Sequence, residues 1–363
     1  MTECKTYRLG DIVQFNPTEK IAKGSLAKKV SMDKLVPYCR EVSGYEVEPF
    51  AGGMKFRNGD TIMARITPCL ENGKTSFISF LEENEVGFGS TEYIVFRAIE
   101  GVTDSKFIYY FVTSPSFRNV AIKSMVGSSG RQRVQQSVLE DLEVAMPSLE
   151  DQKRIAGILG AIDDKIENNR RINDNLEQQA QALYKQWFVD NRSDDWETKK
   201  LSEFFNVVTG KKDANFSTTN GEYPFFTCSQ DVLKAPDYSF EGAAILLAGN
   251  GDFNVKRYIG KFEAYQRTYV LIPFDRKYHS FLYLTIKHYL QEITGGSRGS
   301  VIKFITKGNI ADFEVALPQI NIDDKLAVLD SLYQTIDGNM TENETLATLR
   351  DTLLPKLMNG EIK

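Results

Sequence analysis

An internal repeat constrains the fold of this 363-residue chain more than any other feature. The stretch Asp141-Leu-Glu-Val-Ala-Met-Pro147 returns as Asp312-Phe-Glu-Val-Ala-Leu-Pro318, and each copy leads into a long helical pattern. A turn rich in glycine and serine, with one arginine, precedes each copy, at 127–131 and 295–298. Repetition at about half the chain length indicates two equivalent units. Such a layout suits a protein that reads a target with two parts.

Each repeat contains a long heptad pattern. The first runs from Ile155 to Trp187 and the second from Ile322 to Leu357, with mostly apolar residues in steps of three and four. Because this spacing persists along each segment, it predicts a coiled-coil seam. Each helix of roughly 33 residues would be about 50 Å long, and we expect the two to pair antiparallel. Pro355 should kink or end the second helix.

Two asparagines occupy matching places in these patterns. When Ile162-Asp163 is aligned with Ile336-Asp337, Asn169 and Asn343 fall in the same place in the seam, and Met340 lies in the seam just before Asn343. A seam asparagine can fix the register of a helix pair at some cost in stability. We predict that Asn169 and Asn343 meet near the middle of the pair. The alternative is two unrelated polar residues on a solvated stretch.

The segments between the helices show the pattern of β-rich domains. Short runs such as Thr61–Ile66 and Thr268–Ile272 are bounded by glycine, asparagine and proline, as expected for strands. One helix is predicted in each segment, at Lys106–Ser116 and Ser280–Leu290. The chain is therefore predicted to have an α+β fold, with two β-rich domains separated by two long antiparallel helices in a pseudo-two-fold repeat. The predicted boundaries are 1–146 for the first domain, 147–195 for the central helix, 196–317 for the second domain and 318–363 for the C-terminal helix.

Charge is distributed unevenly between domains and helices. The chain carries a net charge of -5, but residues 1–145 and 196–317 together carry +2, and residues 146–195 and 318–363 together carry -7. This division indicates different partners for the two kinds of segment, although +2 is far below the basic stripe of a non-specific DNA binder. The sequence shows neither a signal peptide nor a long apolar run, and its four cysteines are scattered. We expect a cytoplasmic protein without membrane spans.

The motifs of several enzyme classes are missing from the sequence. It has no Pro-Pro dipeptide, which the base-binding loop of an adenine methyltransferase needs, and no glycine-rich nucleotide or phosphate loop. His279 and His288 lack metal-ligand companions and are expected to pack near the second predicted helix. Asp151-Gln-Lys153 and Asp163-Asp-Lys165 resemble a nuclease Asp-x-Lys motif but fall in the first long helix, where we interpret them as a solvated face. These gaps argue against a self-sufficient methyltransferase or nuclease.

A set of further motifs resembles the specificity subunit of Type I restriction–modification enzymes, over nearly the whole chain. These motifs lie in both long helices and both domains. They are Pro147–Ile155, Ala161–Asn169 and Leu349–Met358 in the helices, and Ala64–Lys74, Gly89–Tyr93, Glu222–Cys228, Ala248–Phe253 and Ala264–Tyr269 in the domains. The resemblance implies two target-recognition domains, each reading one half of a bipartite, asymmetric site on double-stranded DNA. It also implies that the helix pair sets the gap between the halves.

The resemblance further implies a non-catalytic subunit that works inside a larger complex. It would dock two modification subunits, which methylate adenine with S-adenosylmethionine, and a restriction subunit, which translocates and cleaves DNA with ATP. S-adenosylmethionine, ATP and Mg are expected in those partner subunits, and no cofactor or metal is expected in this chain. The acidic helices would then be the docking surface. A coiled-coil scaffold or adapter with β-rich protein-binding domains remains the alternative.

Candidate DNA-contacting residues follow from the chemistry of groove reading. Arginine and lysine suit guanine, asparagine and glutamine suit adenine, and glycine allows a close approach to phosphates. The alternatives are a polar surface turn at 127–131, a structural ion pair for Arg65, and plain turn chemistry for Asn250 and Asn254. The candidates are Ser128, Ser129, Arg131, Gln132, Arg133, Gln135, Arg65 and Lys74 in the first domain, and Lys211, Lys212, Asn250, Arg267, Arg298 and Lys303 in the second.

Overall fold

A computed structural model describes residues 5–251, 253–295 and 305–362. It divides into two compact units, a first unit of Met1–Arg170 with Thr341–Lys363 and a second unit of Arg171–Met340. Each unit contains one β-rich domain and a portion of each of two long helices. The predicted α+β class is confirmed. None of the helices in the described part of the chain is long and apolar enough to span a membrane.

The first domain contains three groups of paired strands. Strands β2, β9, β6 and β7 form one four-stranded sheet, β4, β3, β8 and β5 form another, and β1 pairs with β10. The predicted helix at Lys106–Ser116 is two helices, because Ser114 ends one and caps the next at its proline. The strands are β1 (Lys5–Arg8), β2 (Val13–Phe15), β3 (Leu26–Val30), β4 (Glu46–Pro49), β5 (Lys55–Phe56), β6 (Thr61–Ala64), β7 (Thr75–Phe77), β8 (Gly87–Gly89), β9 (Tyr93–Ala98) and β10 (Glu143–Met146). The helices are α1 (Leu9–Ile12), α2 (Ser105–Thr113), α3 (Pro115–Lys123), α4 (Gln136–Glu140) and the long α5 (Leu149–Lys185).

The second domain is built around one larger sheet. Its six strands lie in the order β12, β17, β15, β16, β13, β14, while β11 pairs with β18. His279 begins and His288 ends the helix α6, as expected, and His279 is fully buried. The strands are β11 (Glu197–Lys200), β12 (Phe205–Thr209), β13 (Tyr223–Phe226), β14 (Leu233–Ala235), β15 (Phe240–Ala248), β16 (Val255–Ala264), β17 (Thr268–Pro273) and β18 (Glu314–Leu317). The helices are α6 (His279–His288), α7 (Leu290–Thr294), α8 (Lys307–Ala311) and the long α9 (Asp323–Met358).

The repeated motif closes each domain in the same way. It forms β10 and β18, which pair antiparallel with the first strand of their own domain, β1 and β11. The aspartate that starts each copy receives a salt bridge from the residue that ends that first strand. Arg8 lies 2.7 Å from Asp141, and Lys200 lies 3.2 Å from Asp312. The repeat therefore joins the beginning and the end of each domain.

Both domains share a three-stranded antiparallel core, β2-β9-β6 in the first and β12-β17-β15 in the second. Side chains alternate between the two faces of a strand. Thus Ile62 and Met63 of β6 enter different apolar clusters, as do Leu246 and Leu247 of β15. One face of each core packs with the helices of the same unit, and the other packs under the remaining strands. This core gives the two domains a common frame.

The long helices have 37 and 36 residues, slightly more than the pattern predicts. In the first unit, α5 buries Ile155 and Leu159 and α9 buries Leu354 and Leu357 in one apolar cluster. The helix α9 does not end at Pro355 but continues to Met358. Its final turn therefore accommodates the proline.

Two expectations about the long helices are wrong. Met340, placed in the seam by the heptad pattern, is 55% exposed. Asn339 faces α5 instead and donates to Asn173 Oδ1 at 2.8 Å. The residues of α9 that face α5 are therefore Ile336, Asn339 and Asn343, spaced by three and then by four, whereas the predicted pattern had the spacing of four first. Asp163, interpreted as solvated, is only 2% exposed, since it accepts hydrogen bonds from the Tyr110 hydroxyl and from Arg350.

Candidate nucleic-acid interface

Loops of the first domain meet beside the ends of β2, β6 and β9, where backbone hydrogen bonds fix their arrangement. Arg65 N–H donates to Glu92 O at 2.9 Å, and Val134 N–H donates to Arg65 O at 2.9 Å. Thr67 N–H donates to Gln132 O at 3.0 Å. We call this cluster of loops the first edge. It brings four of the candidates, Arg65, Gln132, Arg133 and Gln135, onto neighbouring strands and turns.

The glycine-rich turn is the tip of a hairpin at the first edge. Val126 and Arg133 form a β-bridge with backbone hydrogen bonds in both directions, at 3.0 and 2.9 Å. Gly127 has φ 133° and Gly130 has φ 77°, which explains why glycine is needed there. At the tip, the side chains of the candidates Ser128, Ser129 and Arg131 are exposed. They are free of the hairpin's own backbone ladder and available to a ligand.

Three other candidates of the first domain, Arg133, Arg65 and Lys74, have partners inside the domain. Arg133 forms a bidentate ion pair with Glu92 at 2.6–3.0 Å and keeps 46% of its side chain exposed. This hydrogen-bonded guanidinium holds the pKa of Glu92 below its ordinary value. Arg65 donates to Val134 O at 3.1 Å, and Lys74 donates to Met32 O at 2.9 Å. Both therefore also support loops within the domain.

The second domain repeats the same frame. Gly249 N–H donates to Arg267 O at 2.8 Å, and Ile305 N–H donates to Gly249 O at 3.1 Å. These bonds match those of Arg65, so Gly249 stands in its place. By the same correspondence Arg267 stands where the first domain has Glu92. We call this cluster of loops, beside the ends of β12, β15 and β17, the second edge.

The second edge collects all the described candidates of its domain. Lys211 and Arg267 are exposed, and Asn250 is half-buried. Lys212 forms a bridge with Tyr265 and lies 4.3 Å from the ring centroid of Phe216. The candidates Arg298 and Lys303 lie outside the described residues. The edge therefore presents cationic and amide side chains on a hydrogen-bonded backbone.

Two further residues bear on this interface, Asn254 in the second domain and Glu92 in the first. Asn254, for which the sequence leaves base readout and turn chemistry open, is buried and donates to Cys228 O at 2.9 Å. Glu92 is the residue that the sequence reasoning missed. It follows Gly89-Ser-Thr in a family-like motif, but only the fold brings it to Arg133. The described residues contain no cluster of three or more histidine, cysteine or acidic side chains arranged to hold a metal ion.

The paired helices are polar where the predicted register asparagines lie. In the first unit, Asn169 Nδ2 donates to Asn343 Oδ1 at 3.0 Å and to Glu342 Oε2 at 2.7 Å. Lys165 also lies 3.1 Å from Glu342. In the second unit, Asn173 meets Asn339 one helical turn further along α5. Amide groups in these positions bond to each other only when the two helices are in one register.

Comparison with known proteins identifies the family. The sequence model described as "Type I restriction modification DNA specificity domain" matches residues 1–178 and again residues 193–348. The chain belongs to this family. The two matches correspond to the two copies of the repeat. The predicted relationship to Type I specificity subunits is therefore confirmed.

Individual members of the Type I specificity family are similar over different parts of the chain. The EcoDI specificity subunit of Escherichia coli is 41% identical over 173 residues, which are 46% of this chain and 39% of that protein. The chain thus matches well under two thirds of the length of this relative. The HindI specificity subunit of Haemophilus influenzae is 23% identical, with both proteins covered completely. The crystal structure of an S subunit from M. genitalium shares the fold, with a TM-score of 0.61, 17% identity and coverage of 97% of this chain and 95% of that one.

Proposed function

We propose that this protein is the non-catalytic DNA-specificity subunit of a Type I restriction–modification complex. Each domain would read one half of a bipartite, asymmetric site on double-stranded DNA. The observation that carries this proposal is the pair of edges. They share one backbone frame, yet they present different side chains, as expected for two readers of different half-sites.

The side chains at each edge support distinct kinds of DNA contact. At the first edge, the exposed hairpin tip with Ser128, Ser129 and Arg131 can approach phosphates and base edges closely. At the second edge, exposed Lys211 and Arg267 supply positive charge, and Asn250 supplies an amide. Arginine reads guanine and asparagine reads adenine through paired hydrogen bonds in the major groove. Phosphate contacts would orient each domain, and a few side chains would select the sequence.

The long helices have the properties of a docking surface for protein partners. They are acidic, in contrast to the domains. The first-unit portions expose Ile158 and Leu349, and the second-unit portions expose Ile172, Val328 and Met340. We propose that two modification subunits and a restriction subunit dock here, and that S-adenosylmethionine, ATP and Mg bind in those subunits. The helix pair would set the spacing between half-sites, with Asn169 and Asn343 fixing its register.

The decisive experiment maps methylated adenines across the genome in cells with and without this gene, in the presence of an active modification subunit. Loss of a motif with two defined halves and a fixed gap supports the proposal and gives the sequence that the protein reads. An unchanged pattern of methylation contradicts it and favours the scaffold alternative. A variant that lacks Arg131 serves as the internal control, because only one half of the motif should change.

A further inference from the structure

One short segment of the first domain touches both the long helices and the first edge. It comprises Tyr38, Cys39 and Arg40, and we call it the strap. The loop that it reaches runs from residue 66 to residue 73, and we call this the edge loop. The contacts of the strap with the long helices and with the edge loop all lie within the first unit.

On one side, the strap is tied to the helices by buried charges. Arg40 is only 8% exposed, and its guanidinium bonds to Glu167 and Asp164 of α5. Arg350 of α9 donates to Tyr38 O at 3.3 Å and to Asp163 Oδ1 at 2.8 Å. Two arginines and three carboxylates thus link the strap with both long helices.

On the other side, the strap holds the edge loop. Tyr38 N–H donates to Gly73 O at 3.1 Å. The guanidinium of Arg118 lies 5.0 Å from the Tyr38 ring centroid and donates to the carbonyls of Leu70 and Glu71 at 3.1 Å. The edge loop in turn contains Thr67, whose N–H bonds to the hairpin at Gln132. Contacts therefore run without a gap from the helix carboxylates to the candidate DNA-contacting hairpin.

The backbone of the strap is held in an unusual conformation. Tyr38 has φ 58°, a left-handed value that residues other than glycine adopt infrequently. Gly73 has φ 77°, and a Cβ atom there would lie 2.7 Å from the Tyr38 ring. Strained residues persist only where their surroundings determine them fully, and they concentrate at functional sites. The strap and the edge loop are therefore fitted to each other closely.

Stability alone does not explain this arrangement. A buried ion pair often contributes little net stability relative to apolar residues of the same volume, although loss of one partner is costly. Buried charges do fix geometry, because their hydrogen bonds are satisfied in one arrangement only. We propose that Arg40 is a positioning residue, which holds the first edge in place through the strap and thereby determines specificity for one half of the DNA site. This inference rests on the proposed function.

The test uses the full complex and the methylation motif. Arg40→Met should lower discrimination against single-base changes in one half-site by about tenfold and leave the other half within twofold. Gly73→Ala should relax the same half-site, because it disturbs the strap without removing a charge. Arg257→Met is the matched control in the second unit, where it removes an ion pair to Asp337 of α9 at 2.6 Å, and it should leave this half-site within twofold. Lys23→Met, at an exposed lysine of the first domain, controls for the loss of charge.

The outcomes separate this inference from the proposed function. Equal loss of discrimination in both halves, or no loss in a folded Arg40→Met complex, overturns the role of Arg40. If the complex with Arg40→Met does not assemble, the Gly73→Ala variant tests the role of the strap. Loss of discrimination in one half-site supports that role, and equal loss in both halves or no loss contradicts it. A wild-type complex that methylates no bipartite motif overturns the proposed function itself, and the inference with it. Thermal unfolding of each complex shows whether a variant is folded.

Discussion

The two domains keep the same frame but arrange their remaining strands differently. In the second domain, β16 continues for ten residues and joins all six strands in one sheet. In the first domain, the corresponding stretch is interrupted by residues 78–86, which contain three glutamates and Asn84 at φ 63°. The strand therefore divides into β7 and β8, and two sheets result. This difference in sheet arrangement does not change the loops at the two edges, because those loops follow or precede the three strands that both domains share.

The edges differ most in charge. Glu92 and Arg267 hold equivalent backbone positions, yet one is acidic and the other basic. At the first edge Glu92 neutralises Arg133, and Arg131 on the hairpin tip is exposed. At the second edge Arg267 is exposed. The two domains thus share these backbone hydrogen bonds, while the side chains at the equivalent position carry opposite charges.

The largest effect should come from the buried charges of the first unit. Arg350→Met leaves Asp163 buried without its arginine, which should cost about 3–5 kcal/mol. Urea denaturation measures the loss, and hydrogen exchange should place it in the first unit. The double variant Arg350→Met with Asp163→Asn should recover more than half of it, since asparagine can still bond to Tyr110. A loss below about 1 kcal/mol in the single variant would show that the pair is dispensable.

The histidines should make the stability of the second unit depend on pH, because both of them lie there. Burial lowers the pKa of His279 from 6.5 to about 4. The unfolded chain therefore binds more protons between these values, and stability is lost as the pH falls from 6.5 towards 4, by about 3 kcal/mol in total. His279→Gln should flatten this dependence in unfolding experiments, while His288→Gln serves as the control. Equal pH dependence in wild type and His279→Gln would refute the assignment.

Substitutions at Glu92 and Arg267 test the charge contrast directly. Arg267→Gln should weaken DNA binding by the assembled complex by about 1–3 kcal/mol and reduce the logarithmic salt slope by about one. Glu92→Gln should strengthen binding, because it removes the counter-charge of Arg133. Titrations at several salt concentrations give both quantities. If both variants shift the affinity in the same direction, the charge contrast between the two edges does not govern DNA binding.

The smallest effect concerns two helical glycines, one in each unit. A Cβ at Gly157 of α5 or at Gly338 of α9 would meet no atom within 4 Å. Each alanine variant should therefore stabilise its helix by about 0.5–1 kcal/mol. Urea denaturation should show similar gains for the two. Gly127→Ala is the contrasting control and should destabilise the hairpin, since Gly127 has φ 133°.

Much of the architecture could be predicted from the sequence because its signals are local. Heptad spacing predicted both long helices, and the repeated motif predicted two equivalent domains. Aligning the two patterns also predicted that Asn169 meets Asn343. Asn169 Nδ2 lies 3.0 Å from Asn343 Oδ1. Such patterns are written in residues three, four or seven apart. Such spacing of apolar residues is expected in any fold that buries one face of a helix.

The tertiary structure alone decided which polar residues face one another. The pairs Arg40–Glu167, Glu92–Arg133 and Asp163–Arg350 join residues that are 127, 41 and 187 positions apart. No periodicity connects residues at such distances, so Asp163 was interpreted as solvated and the pairing of Glu92 with Arg133 could not be predicted. A buried charge is stabilised by the oppositely charged or hydrogen-bonding partner that the fold places beside it. The sequence by itself determined the repeated framework, and packing determined the positioning residues and the character of each edge.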